Sequence, residues 1–459
     1  MSGCGEADRL VPEPPATRPN LVLIVADTLR QDYLGAYGFE GDVSLAIDRF
    51  AKGSVLFENG ISPAPWTKPS VTSILTSLPP EAHGLVGIRR PGAERRFQVL
   101  NERVPTLAGE LQRAGYETVA LYANAWLDPA SGLGRGFDRY EKVEGGASAI
   151  APLALGLLSM ATPDRPLFLY LHFMDPHGPY TCDPQHFRAL RGSPSLGPDQ
   201  KLTSEEQTEL GYLAKMKTPW LADANVRDSR AYWRACYAAN VAAFDAQLVP
   251  LFRSLDAGPR SADTAVIFTS DHGEALLDHR AGRLTQRAWE HGWNLHFHQT
   301  RVPMIVRLPG GRLAGTRVKT AVTGLDVAPT LLALAGLSPP SSMQGRDLLT
   351  QLEAPGSQNE RWVFSSGVKR RNHMLSVQNH RYKMIVNTKN DTVALYDLRD
   401  DPDETTDVAA RKPKLVEELR GIVAARSKAL GELDLLPERA ASLRPAIAEE
   451  LRALGYLEE

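Results

Sequence analysis

Cysteine is scarce in this chain. Only Cys4, Cys182 and Cys236 occur in 459 residues. They form no metal-binding spacing and no disulfide framework, so buried or idle thiols are expected in place of a redox centre. Long hydrophobic runs are missing too, and nothing approaches the ~18 apolar residues of a membrane helix. Charge of one sign is also absent. Lysine and arginine number 52 against 54 aspartates and glutamates, a formal net charge of -2. Bulk charge therefore gives no reason to expect nucleic-acid binding.

What is present is a chain with 43% hydrophobic residues, enough for one large core with an appendage. Short apolar runs recur: "LVLIVAD", "TVALYAN", "LFLYLHFMD", "TAVIFTSD" and "VPMIVRL". Runs of this length, rich in Val and Ile, read as strands buried on both faces. Helical patterns lie between them, in "VPTLAGELQRAGYE", "YWRACYAANVAAFDAQLVPLF" and "GLDVAPTLLALAGL". Alternating strands and helices predict an α/β fold with a large, mostly parallel central sheet flanked by helices, over residues 19–355. From about Glu360 the texture changes. "HRYKMIVNT" and "TVALYDL" suggest a hairpin, acidic "RDDPDETTD" a loop, and "PKLVEELRGIVAARSKAL" an amphipathic helix. Residues 356–459 are expected to form a small C-terminal α+β subdomain with a helical tail.

Two of the strands end in acid, at Asp27 and at Asp271, which His272 follows. In an open α/β sheet, ligands bind outside the carboxyl ends of the strands. Two carboxylates meeting there repel unless a cation lies between them. Loop histidines add to this edge: His177 in "DPHGPY" and His291 in "EHGWNLHFH", whereas His296 and His298 are left to structural roles. "PAPWTKPSVTSIL" reads as a loop turning into a helix, with Pro69 in its first turn. Thr67 is then either an N-cap or a nucleophile aimed at an anion from a helix N-terminus.

Six stretches in order resemble the sulfatases of the alkaline-phosphatase-like superfamily: "NLVLIVADTLRQDYLGAYG", "APWTKPSVTSILTSLPPEAHGL", "HFMDPHGPY", "TSDHGEALLDH", "HGWNLHFHQTRVPMIV" and "GLDVAPTLLALAGL". "YKMIV" and "LYDLRDDPDETTD" resemble the family's C-terminal subdomain. The resemblance implies an ester hydrolase with one divalent cation held by Asp27, Asp271 and His272. Ca²⁺ or Mg²⁺ is the first expectation, with Zn²⁺ or Mn²⁺ as alternatives. It implies Thr67, His177 and His291 as catalytic residues, and Lys68 and Arg301 as contacts to the substrate anion.

The departures are specific. Formylglycine sulfatases carry Cys or Ser at the Thr67 position and Arg at the Val71 position, and Thr cannot become formylglycine because its Cβ bears a methyl. Thr28 stands where the family places a second acid. "YANAWL" replaces a Gly-Lys-Trp-His signature. A Thr nucleophile resembles the phosphodiesterase and phosphoethanolamine-transferase branches, which usually bind two zinc ions, but no complete second ligand set is found here. Three readings follow: a metal-dependent hydrolase of a sulfuric or phosphoric ester without formylglycine, a phosphodiesterase or phosphotransferase using Thr67, and a non-catalytic binder of a sulfated or phosphorylated ligand. The expected partner is a small-molecule or glycan ester; no nucleic acid and no transmembrane segment are expected.

The Pro-rich, polar "MSGCGEADRLVPEPPATRPN" predicts a disordered tether over residues 1–18. It shows neither a charged n-region nor an apolar h-region, so a cytoplasmic protein is expected as it stands. The alternative is an exported lipoprotein, because "SGCGEAD" resembles a lipoprotein cleavage site with Cys4 as the lipidated residue.

Overall fold

The computed structural model describes residues 18–89, 96–178, 180, 189–190, 193–197, 200–204, 229–278, 291–353, 361–367 and 373–453. The expected tether, Cys4 and Cys182 lie outside them, apart from Arg18. The strands are β1 (Asn20–Ala26), β2 (Val55–Ile61), β3 (Ile88–Arg89), β4 (Arg96–Val99), β5 (Glu117–Tyr122), β6 (Arg139–Lys142), β7 (Leu167–Phe173), β8 (Thr264–Ser270), β9 (Met304–Arg307) and β10 (Arg317–Thr323). The C-terminal part adds β11 (Val363–Gly367), β12 (Met374–Gln378), β13 (Tyr382–Asn387), β14 (Thr392–Asp397) and β15 (Arg439–Ser442).

Eight strands form the central sheet in the order β10-β2-β9-β8-β1-β7-β5-β6. The continuous apolar runs β1, β7 and β8 lie at its centre, buried at every residue. Their alternate side chains feed two separate cores. Val22, Ile24 and Ala26 pack under the Arg230–Ala257 helix, while Leu21, Leu23 and Val25 pack under the helices Thr67–Thr76, Leu107–Arg113 and Val327–Leu334. The pairing is parallel except at β9, which runs antiparallel to both β8 and β2. The chain leaves β8 at the carboxyl edge and re-enters the sheet at β9 from that same edge, so the direction must reverse.

The expected C-terminal hairpin is β13–β14, and it belongs to a four-stranded antiparallel meander, β11-β12-β13-β14. The Pro413–Gly431 helix covers this meander through Leu419, packed with Val377, Met384 and Leu395. A third sheet, β15-β4-β3, brings the C-terminal segment back to the main body. One expectation is corrected: Cys236 is disulfide-bonded, not an idle thiol, and its partner lies outside the described residues. The cysteine spacing carried no sign of this, because connectivity is set by the fold and not by separation along the chain.

Candidate active site at the carboxyl edge of the sheet

Asp27 follows β1 and Asp271 follows β8, which are adjacent parallel strands with Ala26 level with Ser270. The register alone therefore brings the two carboxylates to one edge. Both are fully buried. One oxygen of each is occupied. Asn124 Nδ2 donates to Asp27 Oδ2 at 2.6 Å. The backbone N–H groups of Thr28 and His272 donate to Asp271 Oδ1 at 3.2 and 2.8 Å. The other oxygens, Asp27 Oδ1 and Asp271 Oδ2, have no hydrogen-bond partner. Burial and then repulsion from Asp271 push the Asp27 pKa up to about 7, and burial pushes Asp271 up to about 8.

His272 Nδ1–H donates to the Gly273 carbonyl at 2.9 Å, which leaves a lone pair on Nε2. That nitrogen lies 3.6 Å from Asp27 Oδ1, 3.5 Å from Asp271 Oδ2 and 3.3 Å from Thr67 Oγ1. His172 enters from β7, with its Nε2 3.7 Å from Asp271 Oδ2. Donor atoms of Asp27, His172 and Asp271 all lie within 4.8 Å of one another. Carboxylate oxygens and imidazole nitrogens of buried groups thus face each other across 3.5–3.7 Å, which fits a cation held between them.

Thr67 is the first residue of the Thr67–Thr76 helix, and every residue of that helix is buried. The extended residue Trp66 occupies the N-cap position, and no side chain caps that end. The cap alternative for Thr67 is thereby corrected: its hydroxyl reaches across to His272 Nε2, and Asn124 Nδ2 lies 3.5 Å from it. The helix is tied to the loop after β8 by Ser70, which donates to the Asp271 carbonyl at 2.5 Å, and the segment leading into the helix by Ser62, which donates to the same oxygen. His83 holds its outer side. The imidazole accepts from Leu85 N–H at 3.0 Å and therefore carries its proton on Nε2, 3.1 Å from Ser73 Oγ and 3.2 Å from the Pro69 carbonyl.

His291 joins the cluster, with its ring centroid 4.3 Å from that of His272, and His177 stands 5.2 Å from His291. Glu274 orients His291, with both carboxylate oxygens 3.3 Å from Nδ1, and Tyr180 Oη donates to Glu274 Oε2 at 3.1 Å. The loop carrying His177 is anchored at Asp175, which accepts from Ala147 N–H at 2.9 Å. Lys68 and Arg301 are not brought into this group. The Lys68 amine is buried without a hydrogen bond, 4.1 Å from the Phe97 ring centre, and burial lowers its pKa to about 7. Arg301 stacks at 5.8 Å over Phe297.

Sequence reasoning missed His172, Asn124 and Glu274. His172 is placed by strand register and not by a local pattern. It is level with Val25 across β1–β7, and Val25 is level with Thr269 across β1–β8. His172 therefore shares a sheet face with Asp27 and Asp271, each two residues further along. Thr28, where an acid was expected, adopts φ 61°, uncommon for a β-branched residue. That turn aims its N–H at Asp271, and Tyr237 Oη donates to its carbonyl at 2.7 Å.

The sequence model of the sulfatase family matches residues 19–337, and that of the N-sulphoglucosamine sulphohydrolase C-terminal region matches residues 289–426. A Δ4,5-hexuronate-2-O-sulfatase of Bacteroides thetaiotaomicron is 25% identical over 86% of this chain and 85% of its own length. Arylsulfatase K of Xenopus laevis is 29% identical over 43% of this chain and 37% of its own. Among solved structures, a protein in complex with its substrate D-glucosamine-2-N,6-O-disulfate superposes with a TM-score of 0.70, at 19% identity, over 91% of this chain and 99% of that one. Phosphonate monoester hydrolase of Agrobacterium radiobacter gives 0.68 at 22% identity, over 93% and 100%. With its fold, its ordered motifs and the family model all in agreement, the chain belongs to the sulfatase family of ester hydrolases.

Proposed function

We propose that this protein is a divalent-cation-dependent hydrolase of a sulfuric ester on a small molecule or glycan, and that it works without formylglycine. The observation that carries the reading is the convergence of Asp27 Oδ1, Asp271 Oδ2 and His272 Nε2 beside the Thr67 hydroxyl. A bound cation would supply positive charge that screens the ester oxygens and favours ionisation of a nearby hydroxyl. Thr67 Oγ attacks sulfur as its proton passes to water, the bond from sulfur to the ester oxygen breaks, and a second water later attacks the sulfur of the sulfo-threonine, releasing sulfate and restoring Thr67. His291, oriented by Glu274, and His177 give the departing oxygen its proton, a reading supported by their packing beside His272. Asn124 holds Asp27 in place and lies beside the attacking oxygen.

Mass spectrometry of the peptide spanning Thr67 tests the first part, with unmodified Thr expected and an aldehyde between Trp66 and Thr72 overturning it. A screen of aryl sulfate, phosphate monoester and phosphodiester substrates, with and without chelator, tests the rest. Turnover of the sulfate, lost on chelation, is expected. Preferential turnover of a phosphate ester would instead favour the phosphoesterase reading, which the Thr67 hydroxyl and the missing Arg at Val71 also suit. The disulfide at Cys236 supports the exported alternative, because such bonds persist in oxidising compartments.

A further inference from the structure

We propose that His172 is a ligand of the cation, standing in for the acid missing at Thr28, and that the resulting donor set selects a borderline transition-metal ion such as Zn²⁺ over Ca²⁺ or Mg²⁺. This rests on the cation reading above.

Three observations carry it. First, His172 is fully buried at the penultimate position of the central strand β7, and neither ring nitrogen has a hydrogen bond. A buried imidazole without partners is costly unless something electropositive faces it, and the orphaned Asp271 Oδ2 lies 3.7 Å from its Nε2. Second, both carboxylates are held to one oxygen each. Asn124 occupies the second oxygen of Asp27, and two backbone N–H groups occupy that of Asp271. Ca²⁺ takes 6–8 oxygen ligands, often from bidentate carboxylates. This site withholds half of the carboxylate oxygens it contains. Third, the remaining donors are two imidazoles, His172 and His272, with two carboxylate oxygens and the Thr67 hydroxyl. Imidazole suits Zn²⁺ and its neighbours, whereas Ca²⁺ and Mg²⁺ prefer oxygen. Separations of 3.5–3.7 Å between facing N and O donors are close to the roughly 3.4 Å between ligands of a tetrahedral ion with bonds of about 2.1 Å. The Gly273 carbonyl on His272 Nδ1 is the kind of outer contact that fixes a ligating tautomer. Two carboxylates and two neutral imidazoles balance a divalent ion without excess charge.

The test uses the full chain, stripped with chelator and offered Zn²⁺, Mn²⁺, Ca²⁺ and Mg²⁺ in competition with an indicator. Zn²⁺ is expected to bind more tightly than Ca²⁺ by at least about 100-fold. His172→Asn should weaken Zn²⁺ by at least about tenfold, and His172→Asp should move the preference toward Ca²⁺. With Co²⁺ as probe, the parent chain should show two shifted imidazole N–H resonances, from His172 and His272. This measurement decides the ligand even where the variants fail to fold. A chain that binds none of these ions overturns the cation reading itself. Ca²⁺ bound as tightly as Zn²⁺, one imidazole resonance, or unchanged Zn²⁺ affinity in His172→Asn overturns the His172 assignment alone.

Discussion

Thr67 sits at the first position of a buried helix whose N-terminus has no side-chain cap, and its hydroxyl pairs with His272 Nε2. Thr67→Ala should therefore melt within about 1 kcal/mol of the parent but lose turnover by orders of magnitude. Thr67→Ser should keep measurable hydrolysis, since it retains a hydroxyl that can attack. Equal turnover in Thr67→Ala would move the attack to water or to another residue. His83 makes a separate prediction. Burial lowers its pKa to about 3 from 6.5. The unfolded chain then binds the extra proton first, so the contribution of the neutral ring is complete above pH 6.5 and is lost as pH falls toward 3. His83→Gln keeps an amide donor but does not titrate, so its melting temperature should fall less steeply than the parent's across that window. Parallel curves would place the acid sensitivity elsewhere. Lys68→Met removes a buried amine that has no hydrogen bond and keeps its bulk. A higher melting temperature is expected, and an unchanged KM would show that Lys68 does not meet the substrate anion.

At the scale of elements, the ends of β1 and β8 were readable because an apolar run stopping at an acid is a local pattern. The convergence of Asp27, Asp271 and His272 followed from treating those ends as one edge. His172 was not readable, because its face depends on the register of β7 against β1, which is a tertiary fact. The antiparallel β9 was hidden for the same reason: buried runs look alike whichever way they lie. Elements also meet through charge. Glu404, in the loop after β14, receives Lys383 of β13 at 2.8 Å and His296 at 2.8 Å, tying the meander to the loop that leads into β9. The partners Lys383 and His296 hold the Glu404 pKa down, against burial, at about 2 compared with 4.5. The tie is therefore complete above pH 4.5 and lost as pH falls toward 2. Glu404→Gln leaves the buried Lys383 charge unbalanced and should cost about 3–5 kcal/mol at neutral pH. Urea titrations of both proteins should converge as the pH drops through that range. A constant difference would mean that packing, not charge, is what the variant loses.

At the scale of the molecule, the eight-stranded sheet and the meander share their boundary with the site. Ser365 of β11 donates to the Ser62 carbonyl at 2.6 Å, and Arg361 clasps Asp326 at 2.6 and 2.8 Å. The C-terminal part thus braces the segment that leads into the Thr67 helix. The long Arg230–Ala257 helix also carries the disulfide-bonded Cys236. Reducing agent should lower the melting temperature of the parent, and Cys236→Ser should melt alike with and without it. A parent indifferent to reductant would show that the cross-link adds no stability.

The burial of β7 on both faces has a genetic consequence. A strand with one wet face resists a register slip, because the slip exposes its apolar residues. In β7 both faces meet apolar cores, so deletion of one codon before His172 would still leave Leu, Phe and Tyr packed on either side. The same deletion would carry the imidazole through the sheet, away from Asp27 and Asp271. Indels in this strand should accordingly yield folded protein with altered metal content, a class of allele that screens for expression pass over and that elemental analysis detects.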